Sequence, residues 1–445
     1  MDYGLQAWML VSASLVLLMT TPGLALFYGG MSRSKSVLNM MMMSFSAMGV
    51  IGIVYVLWGW SMSYGAQDVA LLFNNPFETF GLNGISGTGY MGVGFQLTFA
   101  VITAALISGA VADRLKFSAW LVFLPLWVTL SYFPLAHMVW GGGFLSGVQN
   151  GLADLLFSGD GGAAVAPIDY AGGTVVHINA GVAGLVLALL LGRRLGFGKE
   201  PIKPHSLPLT MIGAGLLWFG WFGFNVGSWV PGDLTGDAAG TYWLEETSLV
   251  WLNTTVATCA AMMSWLLVEK LRDGKATSLG AASGVVAGLV AITPACGALS
   301  PVGSIILGAV AGALCALAVG LKYRFGYDDS LDVVGVHLVG GLVGTIGIGF
   351  LALDGGLFYG DGIRQLVVQL AVALFAVLWS AVATLGVGLL VKAVIGLRVT
   401  EEDEVAGIDL ADHGESAYDL SSTSGSSRRP AVLAESKPVA EGANA

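Results

Sequence analysis

The segment HINAGVAG (residues 177–184) recurs later in the chain as HLVGGLVG (residues 337–344), and the two share the pattern His-x-x-x-Gly-x-x-Gly. Both copies lie in apolar stretches, where an ionisable side chain is costly and generally marks a pathway or relay. Small residues such as glycine let two helix backbones approach closely in a membrane. The repeat therefore predicts two close-packed helices that carry a matched histidine pair, His177 and His337.

The composition around this repeat is that of an integral membrane protein. Of the 445 residues, 55% are hydrophobic and 11% are charged, whereas a soluble domain carries about 25% charged residues. Apolar runs long enough for a spanning helix of about 20 residues recur, and the longest is divided by the turn-forming sequence TPACGALSP. The chain is predicted to be all-α with eleven transmembrane helices, near residues 7–30, 37–63, 90–112, 117–138, 169–192, 207–230, 248–269, 277–295, 301–321, 333–352 and 363–392.

The basic residues predict the orientation, because lysine and arginine in short loops stay on the cytoplasmic side. Alternate loops and the C-terminal tail hold 18 of the 19 basic residues, and Arg364 is left on the other side. We predict an N-terminus outside, a C-terminus inside and a multi-pass protein of the plasma membrane. No positive segment precedes the first apolar run, so the first helix is expected to be retained. The net charge of −10 argues against nucleic-acid binding.

The two histidine segments fall on the fifth and tenth predicted helices, which therefore run in opposite directions. This predicts two inverted halves of five helices, with the eleventh helix outside the repeat. Residues 1–396 form the predicted transport domain and residues 397–420 a cytoplasmic tail. Residues 421–445 are rich in Ser, Ala and Gly and are expected to be disordered.

The depth of the histidines tests whether their rings can meet. Asp169 lies eight residues before His177 and Asp332 five residues before His337, or about 12 Å and 7.5 Å along a helix. Against a hydrocarbon core of about 30 Å, contact requires one aspartate to lie below the membrane surface. Neutral rings in contact share a proton and can orient a small polar molecule. Satisfied core histidines and axial haem ligands are the alternatives.

The segment DYAGGTVVHINAGVAGL (residues 169–185) resembles the signature of the Amt/Mep/Rh ammonium transporters, most closely the bacterial Amt branch. Six further blocks agree with this family in order: PGLALFYGGMSRSKSVLNMM, FQLTFA, AHMVWGGG, GWFGFNVGS, DDSLDVVGVH and GLRVTEEDEVAGIDLADHGESAYDL. The resemblance covers roughly residues 5 to 420. It implies homotrimers with one pore in each subunit, embedded in the lipid bilayer.

The resemblance also implies roles for particular residues. Recruitment of ammonium in an outer vestibule is implied for Phe95, Trp140, Ser228 and Asp169, although the favoured interpretation of Asp169 is a helix cap. Phe99 and Phe224 match the stacked rings that close the family's pore, and His177 and His337 match its pore histidines. The tail resembles an element that docks a PII-type signal protein, at Asp409, His413, Gly414, Glu415 and Tyr418. A solvated acidic tail is the alternative.

The predicted function is uptake of ammonium, with ammonia and a proton crossing together and carrying current. A passive channel for neutral ammonia and an ammonium sensor acting through the tail are the alternatives. The sequence has no catalytic constellation, and no motif supports a cofactor or metal. Cys259, Cys296 and Cys315 have no paired spacing and are interpreted as packing residues.

Overall fold

The computed structural model describes residues 3–199, 203–229 and 236–418. In these residues the chain is an all-helical membrane protein, with ten helices long and apolar enough to cross a bilayer and a shorter apolar helix of 15 residues. These helices are labelled α1 to α11 in chain order: Tyr3–Met31, Val37–Tyr64, Gly89–Val111, Phe117–Trp140, Gly173–Leu191, Leu207–Val226, Gly236–Asp273, Ser278–Ile292, Pro301–Phe325, Val334–Leu351 and Arg364–Val394.

Each predicted span overlaps one of these helices, and every boundary except the start of α7 agrees within four residues. α7 begins at Gly236, twelve residues before the predicted start at residue 248. α8 ends at Ile292, just before Pro294, and at 1.5 Å per residue it is only about 22 Å long. α5 begins at Gly173 rather than at Asp169, because Gly172 has a φ of +120°, which prevents a helix from starting earlier.

Short elements connect the helices outside the apolar layer. β1 (Asp68–Val69) pairs with β2 (Phe73–Asn74), and β3 (Ser158–Gly159) pairs with β4 (Gly162–Ala163). The remaining connecting elements are a short helix at Leu152–Leu156 and 3₁₀ turns at Phe80–Leu82 and Leu357–Tyr359. The tail adds two helices, α12 (Glu401–Ala406) and α13 (Ile408–His413).

Five of the apolar helices contain a π-helical turn, at Met19–Leu24, Tyr55–Gly59, Val128–Tyr132, Gly173–Ile178 and Val334–Leu338. Such turns are rare and frequently occur at functional sites. The last two contain His177 and His337 and form the first turns of α5 and α10. The two histidines therefore occupy the same kind of local structure.

The helices α5 and α10 cross where the glycines of the repeat lie. A Cβ atom on Gly181 would lie 2.4 Å from the backbone N of Leu338, and one on Gly341 would lie 3.1 Å from the backbone N of Ile178. Each glycine therefore packs against the residue that follows the histidine of the other helix. This reciprocal contact brings the two histidine turns together.

Candidate functional site

Three cavities lie among the helices, and the two larger ones are called outer and inner after the predicted orientation of the chain. The outer cavity has a volume of about 330 Å³ and includes Phe95, Trp140 and Ser228 in its wall. A narrow apolar space of about 10 Å³ follows, beside both histidines. The inner cavity of about 390 Å³ is lined partly by charged residues, including Lys322 and Asp332. The predicted site residues of the membrane region other than Asp169 thus line either the outer cavity or the central space.

The outer cavity has aromatic walls and a free hydroxyl oxygen. The Phe95 and Phe99 ring centroids are 4.8 Å apart, and the Phe99 and Trp140 centroids are 6.0 Å apart. Ser228 Oγ donates to the carbonyl of Phe224 at 2.8 Å, so its oxygen lone pairs remain able to accept a hydrogen bond. Ring faces attract a cation as it loses water. The wall therefore combines ring faces with an oxygen acceptor, and both features suit a small cation that carries N–H groups.

Phe99 and Phe224 separate the outer cavity from the central space. Their rings stack with centroids 4.0 Å apart and an angle of 8° between planes, and both are fully buried. A hydrated ion does not fit between stacked rings at this distance, which is the ordinary contact distance of carbon atoms. Passage requires the two rings to move apart.

His177 and His337 face each other immediately beyond the phenylalanines. Their Nδ1 atoms are 3.3 Å apart, and the ring centroids are 5.4 Å apart. Both rings are buried, with 1% and 3% of their surface exposed. Trp221 stacks on His177 at 5.5 Å and donates its Nε1–H to Thr293 at 2.8 Å. The rings therefore meet in the protein interior, beside Phe224 and the narrow central space.

The Nδ1 contact determines which ring atoms remain free. One neutral ring must donate through Nδ1–H while the other accepts at Nδ1. The two Nε2 atoms are then unlike, because the donating ring has a bare Nε2 and the accepting ring has an Nε2–H. Nε2 of His177 is buried and has no hydrogen-bond partner among the described residues. The pair thus offers one acceptor and one donor to a small polar molecule.

The size of the central space limits what the pair can bind. Its walls are apolar apart from the histidine rings and the Trp221 indole, and about 10 Å³ is close to the minimum that holds one water molecule. A porphyrin ring cannot occupy this space or enter between imidazoles in contact. The geometry is therefore incompatible with the interpretation of the pair as axial haem ligands.

Asp169 lies at the start of α5 and caps it. Its carboxylate accepts hydrogen bonds from the backbone N–H groups of Gly172 at 2.8 Å, Gly173 at 2.6 Å and Thr174 at 2.9 Å. Its own carbonyl oxygen accepts from Trp140 Nε1 at 2.8 Å. Asp169 therefore holds the first turn of α5 with its carboxylate. Its backbone carbonyl also holds the Trp140 indole in the wall of the outer cavity.

Asp329, which the sequence analysis missed, holds the equivalent position at α10. Its carboxylate accepts from the N–H groups of Val333 at 3.0 Å and Val334 at 2.7 Å, four and five residues ahead, as Asp169 does for Gly173 and Thr174. Burial raises the pKa of the Asp329 carboxyl to about 6, against the opposing effect of the Lys322 ammonium group. The spacing Asp-x₇-His occurs in both halves of the sequence, and this spacing could have identified Asp329.

Asp332, which the sequence analysis compared with Asp169, has a different role. It lies in the left-handed region with a φ of +66° and accepts from Lys322 Nζ at 2.6 Å. It does not cap α10. With Asp329 as the counterpart, each histidine lies eight residues beyond its aspartate, and Asp329 is buried.

Replacing Asp329 with alanine is expected to destabilise the protein by about 1–2 kcal/mol, the usual cost of losing a helix cap. The N–H groups of Val333 and Val334 lose their acceptor, and Lys322 loses a nearby negative charge. Thermal unfolding of the purified protein in detergent measures the effect. Asp160→Ala is the control, because Asp160 is exposed in an outer hairpin; equal unfolding temperatures for the two variants would contradict the capping role.

The tail packs on the inner ends of the helices through Asp409 and His413. Asp409 is buried, and its carboxylate accepts from the N–H groups of Leu38 at 3.1 Å and Asn39 at 2.8 Å, at the start of α2. His413 Nε2 lies 3.0 Å from Asn39 Oδ1, and its ring contacts Phe117 with centroids 4.8 Å apart. Asp409 and His413 are therefore packed against the helices, unlike residues of a solvated acidic tail.

The other predicted tail residues complete the same surface. Gly414 ends α13 with a φ of +67°, and Glu415 donates its N–H to the carbonyl of Asp409 at 3.2 Å. Tyr418 Oη lies 2.8 Å from His205 Nε2. Asp412, which the sequence analysis missed, accepts from the N–H of Phe117 at 2.9 Å. The tail thus bonds to the starts of α2 and α4. Residues 421–445 lie outside the described residues.

Comparison with known proteins agrees with this geometry. The family profile described as Ammonium Transporter Family matches residues 7–418. An ammonium transporter of Mycobacterium tuberculosis is 50% identical, covering 98% of this chain and 94% of its own length, and one of Aquifex aeolicus is 47% identical, covering 94% of each. The crystal structure of Candida albicans Mep2 superposes with a TM-score of 0.79 at 32% identity, over 94% of this chain and 90% of that one. The resemblance found in the sequence is confirmed, and the chain belongs to the Ammonium Transporter Family.

Proposed function

We propose that the protein takes up ammonium across the plasma membrane through eleven spanning helices, with the N-terminus outside and the C-terminus inside. The histidine contact carries this proposal. Two buried imidazoles share a hydrogen bond at the narrowest part of the path, below stacked phenylalanines and an aromatic vestibule. α8 counts as a span because its neighbours α7 and α9 pack on it, although it is shorter than the hydrocarbon core.

The first step is recruitment and dehydration of the ion. Phe95, Trp140 and the oxygen of Ser228 replace part of the water shell of ammonium. A bare cation in the apolar central space would pay a large desolvation penalty, whereas neutral ammonia would not. Ammonium is therefore expected to give up its proton when Phe99 and Phe224 separate.

The second step is transfer of the proton to the histidine pair. The N–H bond of ammonium breaks, its electron pair stays on ammonia, and the proton binds the bare Nε2 of one ring. The shared proton then moves across the Nδ1 contact, and the second ring releases its Nε2 proton towards the inner cavity. Ammonia passes beside the rings and recombines with a proton inside. One positive charge crosses in each cycle.

Two alternative functions predict different observations. A passive channel for neutral ammonia uses the same narrow space but moves no charge. A sensor acting through the tail is less favoured, because the curated relatives compared above are named as transporters. Those names also agree with a protein that is not an enzyme.

The assembly and the tail complete the proposal. A homotrimer places three such paths side by side, each within one subunit. The tail surface of Asp409, His413, Gly414, Glu415 and Tyr418 is the proposed docking region for a PII-type signal protein. Its contacts with α2 and α4 provide a physical connection between a bound partner and the inner ends of the helices.

Purified protein in liposomes tests the function. An ammonium pulse is expected to produce an inward current, and labelled methylammonium is expected to accumulate in proportion to an imposed membrane potential. Empty liposomes are the control. Ammonia-driven pH changes without current would support the neutral channel, and the absence of any flux would overturn the transport proposal.

A further inference from the structure

The wall of the outer cavity contains polar atoms that no described residue satisfies. Tyr170 Oη, Gln96 Oε1 and Trp229 Nε1 are buried and have no hydrogen-bond partner among the residues described, and all three side chains line the outer cavity. An unpartnered buried polar group is costly, so such groups are expected to bind water or a ligand. These atoms lie on the side of the cavity formed by α3, the residues before α5 and those after α6.

Glu246 on α7 adds a carboxylate behind this wall, with the phenol groups of Tyr170 and Tyr242 beside it. Its Oε2 atom is buried without a hydrogen-bond partner in the described part of the chain. A Cβ atom on Gly297 would lie 2.6 Å from the Tyr170 ring and 3.4 Å from Glu246 Oε1, so the tyrosine and the carboxylate are neighbours on either side of this glycine. Glu246 therefore contacts a residue of the cavity wall.

The carboxylate of Asp169, the residue that precedes Tyr170 in the chain, is already engaged in hydrogen bonds. Both of its oxygens accept backbone N–H groups of α5, which neutralise part of its charge. Glu246 accepts no backbone N–H group among the described residues, and its neighbours Tyr170 and Tyr242 are neutral phenols, so its negative charge is not cancelled. Tyr242, one helical turn before Glu246, places its ring 6.2 Å from that of Trp229.

We propose that Glu246 and Tyr170 form a second cation site, outside the recruitment site of Phe95, Trp140 and Ser228, which loads that site with ammonium or methylammonium. The inference rests on the proposed transport function. A carboxylate attracts the cation, the tyrosine oxygen accepts one of its N–H groups, and the adjacent rings favour a partly dehydrated ion. An ion held there would lie next to the outer cavity, because Tyr170 lines that cavity.

Glu246→Gln tests the site, with Glu245→Gln as the matched control, because Glu245 is exposed and adjacent on the same helix. Uptake of labelled methylammonium is measured in proteoliposomes. The KM of Glu246→Gln is expected to rise about three- to tenfold, as for the loss of one nearby charge in a partly solvated site, with the maximal rate within about twofold. Glu245→Gln is expected to match the unaltered protein.

Added sodium chloride separates the electrostatic role from a structural one. The KM of the unaltered protein is expected to rise with salt, and that of Glu246→Gln to rise less. If Glu246→Gln fails to fold, Glu246→Asp keeps the charge and is expected to retain a near-normal KM. Equal KM values for Glu246→Gln and Glu245→Gln in a protein that transports would overturn this site alone. Absence of uptake by the unaltered protein would overturn the transport proposal instead.

Discussion

Ammonium-evoked current in proteoliposomes is expected to fall at least about tenfold in His177→Ala and equally in His337→Ala. Each substitution removes one side of the Nδ1 contact, so a proton given up by ammonium has no continuous route across the central space. A positioned acid or base typically contributes about 10²–10⁴ in rate, so a tenfold fall is a conservative expectation. Solid-supported membrane electrophysiology measures the current directly.

His205→Ala is the control for these variants, because His205 lies in an inner loop against Tyr418 and away from the central space. Potassium-evoked current should also be recorded for every variant, because a smaller side chain widens the path and could let other cations through. The ratio of ammonium to potassium current then measures ion selectivity. Undiminished ammonium current with unchanged selectivity in both His177→Ala and His337→Ala would refute the relay. A loss in only one of them would show that the rings do not act as a pair.

Gly181→Ala is expected to destabilise the protein by about 1–3 kcal/mol, the usual cost of overpacking, and to reduce transport severely. The added Cβ would lie 2.4 Å from the backbone N and 2.7 Å from Cα of Leu338, and backbone atoms cannot turn away as a flexible side chain can. α5 and α10 must then separate just beyond the histidines. Thermal unfolding in detergent and methylammonium uptake measure the two effects.

Gly215→Ala is the matched control, since nothing lies within 4 Å of a Cβ at Gly215 on α6. This variant gains helix propensity and is expected to be neutral or slightly stabilised, by up to about 1 kcal/mol. Normal stability and uptake of Gly181→Ala would show that the crossing of α5 and α10 tolerates more space than the geometry allows.

The sequence predicted the helices well because a bilayer imposes strong rules. A spanning segment must satisfy its own backbone hydrogen bonds and remain apolar, so charge-free runs indicate helices almost directly. The division at TPACGALSP correctly separated α8 from α9. The short length of α8 and the early start of α7 were not predictable, because turn position and packing against neighbours decide them.

The candidate site was predictable where it consists of a residue pattern and less so where it depends on tertiary contacts. The two histidines were found from a shared motif, and their rings do meet. The partner of Asp169 was wrongly sought at Asp332, although Asp329 has the same eight-residue spacing. The π-helical turns and the caps that Asp409 and Asp412 provide for other helices have no local sequence signal that we recognised.

Because His177 and His337 are joined through their Nδ1 atoms, each proton transfer leaves the pair in a different state from the one in which it began. When one proton has bound Nε2 of the first ring and another has left Nε2 of the second ring, both rings are in the reverse tautomer. The ring that accepted a proton at Nε2 can now only donate there, and the ring that released one can now only accept. A second charge in the same direction must wait until the pair is reset. If protons pass as proposed, this rearrangement between events limits the turnover rate as well as passage itself does.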